Sequence, residues 1–230
     1  MNPKIPFAAI FDMDGTLFKT EDVAVPAFKR TFEQLKKKGY FEGEVPSDEE
    51  LMGVFGMTLD EIWDQLLPGC SASVKEMADE IMLREELNIL KEGNAALYPG
   101  VKETLAELNS RGVPMFIASN GLEAYIAAIC DHFGISKWFK DQYSAGRFLS
   151  DSKDQLVAKL LADYSIEDAV MVGDRHSDVQ AGKMNNLFTV GCAFGFADEG
   201  ELAGADQIVT DFRKIAAIIE RKIGAQSCEN

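Results

Sequence analysis

The sequence predicts an α/β fold, a doubly wound parallel sheet with an all-helical subdomain inserted after its first strand. Three observations lead there. The run Phe7-Ala8-Ala9-Ile10-Phe11 is continuously apolar and of strand length, as suits a strand buried on both faces of a parallel sheet. Helical periodicity then holds through residues 19–95. From Tyr98 onward helix and strand patterns alternate, which is the signature of repeated βαβ winding.

The first strand ends at Asp12, Asp14 and Gly15. Ligands of open α/β sheets bind at the carboxyl ends of strands, so these two acids stand where chemistry is expected. On an extended backbone they point to one side, and two like charges converging on a small space want a cation. Taken alone, Asp-x-Asp-Gly fits a surface turn equally well.

After Leu17, Phe28, Phe32 and Leu35 fall on one helical face, and Gly39 behind Lys36-Lys37-Lys38 marks the end of that helix. A start near Asp22 or Val23 puts Pro26 in the first turn, where amides lack partners anyway. The pairs Ser47 with Glu50, Thr58 with Glu61 and Ser73 with Glu76 read as capping boxes that open three further helices. Leu59, Ile62, Trp63, Leu66 and Leu67 form one apolar stripe, with Trp63 read as core, and the lysine run reads as a solvated helix end.

Beyond Tyr98, Val101, Leu105 and Leu108 mark a helix between Pro99-Gly100 and Gly112, followed by a strand over Pro114–Ser119. Leu122, Ile126, Ile129 and Phe133 mark the next helix, stopped by Gly134. A weak strand follows at Gln142–Ser144, and a helix begins at Lys153. Strands are predicted at Ala169–Gly173, Phe188–Gly191 and Gln207–Val209, with a terminal helix from about Phe212. Right-handed crossovers bring Asp12, Ser119 and Asp174 to one edge of such a sheet.

Composition sets bounds. A chain of 230 residues with 47% hydrophobic content supports one or two domains and a sizeable core. No run approaches the roughly 18 apolar residues of a membrane span. The N-terminal region lacks a signal pattern, and Cys70, Cys130, Cys192 and Cys228 form no C-x-x-C pair, so a cytoplasmic protein with reduced thiols is expected. A net charge of −15 argues against a nucleic-acid partner. A phosphorylated ligand would rely on local cations, which outweigh distant charge screened beyond ~8 Å.

The segment Asp12-Met13-Asp14-Gly15-Thr16 resembles the first motif of the haloacid-dehalogenase-like superfamily of aspartate-nucleophile phosphatases and phosphomutases. Three more motifs follow in order. Phe116-Ile117-Ala118-Ser119-Asn120-Gly121 resembles the second, Lys153 in Ser152-Lys153-Asp154 the third, and Val170 to Asp178, ending Gly-Asp-x-x-x-Asp, the fourth. The likeness runs from Phe7 to about Thr210. It implies a Rossmann-like core of residues 1–18 and 96–230, and a helical cap over 19–95 that closes over the site and selects the substrate.

Phosphate monoesters resist hydrolysis so strongly that enzymes reach accelerations of ~10²¹-fold, of which acid–base help supplies only ~10²–10⁴. Most must come from charge and donors around the phosphoryl oxygens. Within the resemblance, Asp12 is the expected nucleophile, and Asp14 the acid and base, with a pKa raised by burial and neighbouring carboxylates. Mg²⁺ is the expected cofactor, held by Asp12, Asp174 and the backbone carbonyl of Asp14. Asp178 is similar to the acid that holds the lysine and the metal's waters. Ser119, the amide of Asn120 and Lys153 are expected to bind the phosphate. In isolation Ser119 reads as a helix cap, Lys153 as a surface lysine, and Asp174 and Asp178 as a helix start. His176 reads as a solvent-facing loop residue and His132 as structural, while Arg147 and Arg175 have no assigned role.

The expected activity is hydrolysis of a small phosphorylated metabolite through an aspartyl-phosphate, by a monomer or weak homodimer with no membrane partner. A β-phosphoglucomutase-like phosphomutase is the alternative, and a non-catalytic phospho-ligand binder a weaker one. A dehalogenase would have no use for Asp14 or Asp174. The chain departs from phosphoglycolate phosphatase and β-phosphoglucomutase relatives at Phe18-Lys19-Thr20, where they carry Asp-Ser or Asp-Thr. Its late segment Ala193-Phe194-Gly195-Phe196, with Glu201-Leu202 and Gly204-Ala205-Asp206, is similar to phosphoglycolate phosphatases.

Overall fold

A computed structural model describes residues 4–150, 152–195, 197 and 200–226. Its parallel sheet has the order β3-β2-β1-β4-β5-β6. The strands are β1 (Ala8–Phe11), β2 (Met115–Ser119), β3 (Phe139–Ser144), β4 (Ala169–Gly173), β5 (Phe188–Cys192) and β6 (Gln207–Val209). β1 is central and pairs in parallel with both β2 and β4, so the strand order reverses around it. The crevice where a doubly wound sheet takes its ligand therefore opens directly beyond Phe11.

Alternate side chains of β1 feed two separate cores, as a strand covered on both faces requires. Ala9 and Phe11 pack with α5 (Val101–Ser110), α6 (Glu123–Phe133) and α10 (Lys214–Gln226). Ala8 and Ile10 pack with α8 (Lys153–Tyr164) and α9 (His176–Met184) on the other face. All four residues are fully buried.

Between β1 and α5 lie α1 (Glu21–Lys37), α2 (Asp48–Met52), α3 (Leu59–Leu66) and α4 (Ala72–Glu92). α1 lies along α4, and Phe28 and Phe32 meet the Trp63 ring edge-on at centroid distances of 5.7 and 6.4 Å. The chain leaves for these helices and returns from them through adjacent backbone. Lys19 N donates to Ala96 O and Tyr98 N to Leu17 O, each at 3.0 Å.

The elements follow the sequence patterns with four differences. Helix α1 starts at Glu21, so Pro26 sits in the second turn and cannot donate to the carbonyl of Asp22. The boxes at Ser47 and Thr58 are formed, but α4 opens after Ser71, whose hydroxyl is 3.0 Å from that of Ser73. Strand β3 begins at Phe139, because its partner Met115 extends the pairing beyond the short apolar signal. A four-residue helix, α7 (Ala145–Phe148), follows it, opened by Ser144 Oγ accepting from Arg147 N at 2.9 Å. Phe196 and Cys228 lie outside the described residues. Cys70, Cys130 and Cys192 are free thiols. No helix among the described residues is long and apolar enough to cross a membrane.

Candidate active site

Asp12 follows β1 and Asp174 follows β4, so the pairing of these strands places both carboxylates at one sheet edge. Asp178, in the first turn of α9, and Lys153, at the first position of α8, arrive from the helices on one face. Lys153 Nζ donates to Asp12 Oδ1 at 2.7 Å and to Asp178 Oδ1 at 2.6 Å. All these side chains are buried. The backbone N–H of Arg175 donates to Asp178 Oδ2 at 3.0 Å, so both oxygens of Asp178 are engaged in holding other groups.

Asp12, Asp174 and Asp178 each offer an oxygen within 4.8 Å of the others. Burial first, and then the charges of Asp178 and Asp174, hold the Asp12 carboxyl well above the usual range, while Lys153 acts in the opposite sense. Burial alone would lower the Lys153 ammonium, but the carboxylates of Asp12 and Asp178 keep it above its ordinary value. Three buried carboxylates thus converge within reach of one ion, an arrangement that fits a divalent cation. Hard oxygen donors, few in number, are the set Mg²⁺ takes.

The turn after β1 is shaped around Asp174. Thr16 Oγ1 donates to Asp174 Oδ1 at 3.1 Å. Gly15 has φ +76, and a Cβ there would lie 2.2 Å from Asp174 Oδ2. Gly195 approaches from the other side, where a Cβ would fall 2.1 Å from the Gly15 carbonyl. Only glycine permits this closeness.

Asp14 occupies a different environment. Its Oδ1 accepts from Thr20 Oγ1 at 2.7 Å and from Tyr125 Oη at 2.9 Å. Its pKa is raised by burial, as expected, but neighbouring carboxylates are not the cause. Thr20, Tyr125, Lys153 and Ser119 all favour its charged form, because the acids lie around Asp12 and the hydroxyls around Asp14. Ser119 ends β2, and its Oγ accepts from Gly121 N at 3.2 Å. The Asn120 side chain reaches away, donating from Nδ2 to the Gly56 carbonyl at 2.9 Å and tying the β2–α6 turn to the helical segment.

All the residues singled out from the sequence, Asp12, Asp14, Ser119, Asn120, Lys153, Asp174 and Asp178, meet at this edge. His176 is exposed, with its backbone N–H bonded to Glu201 Oε2 at 2.6 Å. Exposed His132 packs edge-on against Phe133. Arg147 is committed to Asp141 at 2.9 Å, away from the site, and Arg175 packs along Gly56 with its guanidinium 3.6 Å from Glu201. The sequence reading missed Thr16, Thr20, Tyr125 and Glu86. Tyr125 was findable, since it shares the stripe of Leu122, Ile126 and Ile129, and a buried phenol needs a partner.

A cavity extends from Asp12, Asp14 and Lys153 to the inner faces of α1, α3 and α4. Its far wall is apolar and aromatic, including Phe28, Phe55 and Trp63, with two acids, Asp79 and Glu86. Trp63 is therefore both core and cavity wall.

Residues 9–192 match the family model described as haloacid dehalogenase-like hydrolase. Pyrophosphatase PpaX of Listeria monocytogenes is 25% identical over 199 residues, covering 84% of this chain and 86% of that protein. Phosphoglycolate phosphatase of Pseudomonas fluorescens is 25% identical over 224 residues, covering 92% and 79%. Among solved structures, CbbY from Rhodobacter sphaeroides in complex with phosphate superposes with a TM-score of 0.77 at 22% identity, covering 90% of this chain and 95% of that one. β-Phosphoglucomutase from Clostridium difficile does so with a TM-score of 0.75 at 18% identity, covering 96% and 99%. The two structural likenesses concern the fold, while the family match spans the strand ends that carry Asp12, Ser119 and Asp174 and the helix start that carries Lys153. The chain belongs to the haloacid dehalogenase-like hydrolases.

Proposed function

We propose that this protein is a Mg²⁺-dependent phosphatase that hydrolyses a small phosphorylated metabolite through an aspartyl-phosphate on Asp12. The phosphatase class rests on the family and on curated relatives named phosphatase. The observation that carries the mechanism is the separation of two buried aspartates two residues apart. Asp12 is bound to an ammonium, and Asp14 to hydroxyls.

Lys153 fixes the rotation of the Asp12 carboxylate through Oδ1. An oxygen of Asp12 bonds to phosphorus as the ester P–O bond breaks, and the proton of Asp14 passes to the departing oxygen. Asp14, now a carboxylate, takes a proton from water. The water oxygen bonds to phosphorus, the bond to Asp12 breaks, and phosphate leaves with both aspartates restored. Burial, which raises the Asp14 pKa, supports the acid role of the first step. Ser119 and the amide of Asn120 donate to the phosphoryl oxygens, and Lys153 supplies charge. Asp12, Asp174 and the Asp14 carbonyl would hold Mg²⁺, which supplies charge stabilisation at the phosphoryl oxygens. Asp178 holds Lys153 from behind.

Residues 19–95 act as a cap in this reading, with the paired strands of backbone at Leu17–Lys19 and Ala96–Tyr98 as its hinge-side boundary. Hydrolysis is favoured over a phosphomutase because a bisphosphate needs a second cationic site. Among the described residues Lys153 is the one basic side chain lining the cavity.

Phosphate release from p-nitrophenyl phosphate and from an alkyl phosphate, with and without Mg²⁺, tests the reading. Asp12→Asn should abolish both activities. Asp14→Asn should lose far more on the alkyl ester, because p-nitrophenolate leaves without a proton. Equal losses would remove Asp14 from the acid role, and release by Asp12→Asn would remove the covalent mechanism.

A further inference from the structure

We infer, resting on the phosphatase reading, that the leaving group of the substrate is a short hydrocarbon chain ending in a protonated amine, seated with its ammonium against Glu86. The cavity beyond Asp14 is walled by Phe28, Phe55, Ile62, Trp63, Met82 and Leu83. Two polar side chains interrupt that wall, Asp79 and Glu86, both on α4. Asp79 accepts the indole N–H of Trp63. Glu86 has no hydrogen bond or ion pair among the described residues. Burial, with the charges of Asp14 and Asp79 behind it, disfavours its ionised form.

The lining selects by charge. A leaving group with a second anion, a carboxylate or a phosphate, would meet two acids and an apolar wall, with Lys153 already held by Asp12 and Asp178. A polyol would need donors as well as acceptors along its length, and the far wall between the two acids is apolar. A plain alkyl chain would fill the wall and leave the Glu86 carboxyl without a hydrogen-bond partner. An amine at the end of such a chain does both things at once. Its methylenes cover the aromatic wall, and its ammonium forms a charge-assisted bond to Glu86.

Calorimetric titration of the full chain in Mg²⁺ buffer with non-hydrolysable phosphonates tests this. Aminoalkyl phosphonates of two to four carbons are compared with n-alkyl phosphonates of matching length. The amine series should bind about 10-fold tighter, and Glu86→Gln should erase that preference. Glu86→Gln removes a charge that burial opposes, so the variant should retain the fold. Equal binding of the two series, tighter binding of the alkyl series, or a preference unchanged in Glu86→Gln overturns the inference. Turnover reports separately. An amine preference without hydrolysis of p-nitrophenyl phosphate would uphold the pocket and sink the phosphatase reading, whereas hydrolysis without the preference would do the reverse.

Discussion

The phenol of Tyr125 donates to Oδ1 of Asp14 at 2.9 Å, the same oxygen that accepts the Thr20 hydroxyl at 2.7 Å. With two donors on Oδ1, the proton that Asp14 transfers in the proposed mechanism belongs on Oδ2, which faces Gly121 in the β2–α6 turn. Both donors stabilise the carboxylate. In Tyr125→Phe the Asp14 pKa therefore rises further, and the alkaline limb of the kcat/KM profile should move to higher pH. The bond that orients the Asp14 carboxyl is lost at the same time, so kcat should fall about 5-fold. An unmoved limb would show that Tyr125 only packs against Phe18.

Asp12→Asn should be inactive yet more stable. A carboxyl whose pKa is raised by folding costs stability once pH exceeds its ordinary value of 3.8. At neutral pH the neutral amide relieves that cost, and Lys153 keeps Asp178. Activity should drop by about 10⁴ or more, while Tm measured in EDTA rises by roughly 2–4 °C. A lowered Tm would mean that the bond from Lys153 outweighs the burial of Asp12.

Gly15→Ala should damage the proposed metal site by displacing a ligand rather than replacing one. The new methyl would collide with Asp174 Oδ2, and φ +76 is strained for alanine. Displacing Asp174 by about 1 Å should cost roughly 100-fold in kcat and raise the Mg²⁺ concentration for half-maximal activity. A normal Mg²⁺ dependence would place the cation elsewhere.

Asp206 fastens β5 to the segment before β6. It accepts Thr189 N at 2.8 Å, Thr189 Oγ1 at 2.9 Å and Lys183 Nζ at 2.7 Å. Burial pushes its pKa up, but these donors hold it below the ordinary 3.8. A depressed carboxyl stabilises above its unfolded value and loses that contribution as pH falls through the folded one. Asp206→Ala should cost about 1–2 kcal/mol in urea unfolding at pH 7, shrinking below pH ~4. A pH-independent loss would assign the effect to packing.

The sequence by itself determined the strand ends and the residues on them. Asp12, Ser119 and Asp174 were legible because each closes or follows an apolar run, and short-range periodicity marks such ends, whereas Lys153, which opens a helix, was legible only through the motif resemblance. The inserted helices were legible for the same reason as the strand ends, apart from α4, which opens after Ser71 instead of at the box expected at Ser73. Tertiary structure alone decided what surrounds each carboxylate. Thr20, at the N-cap position of α1, gives its hydroxyl to Asp14 and makes no cap bond, and Tyr125 arrives from 111 residues away. Glu86 becomes a cavity residue because α4 packs along α1 and turns that face toward the sheet edge. Burial and long-range neighbours set a carboxylate's proton affinity and a cavity's charge, and neither is a property of local sequence.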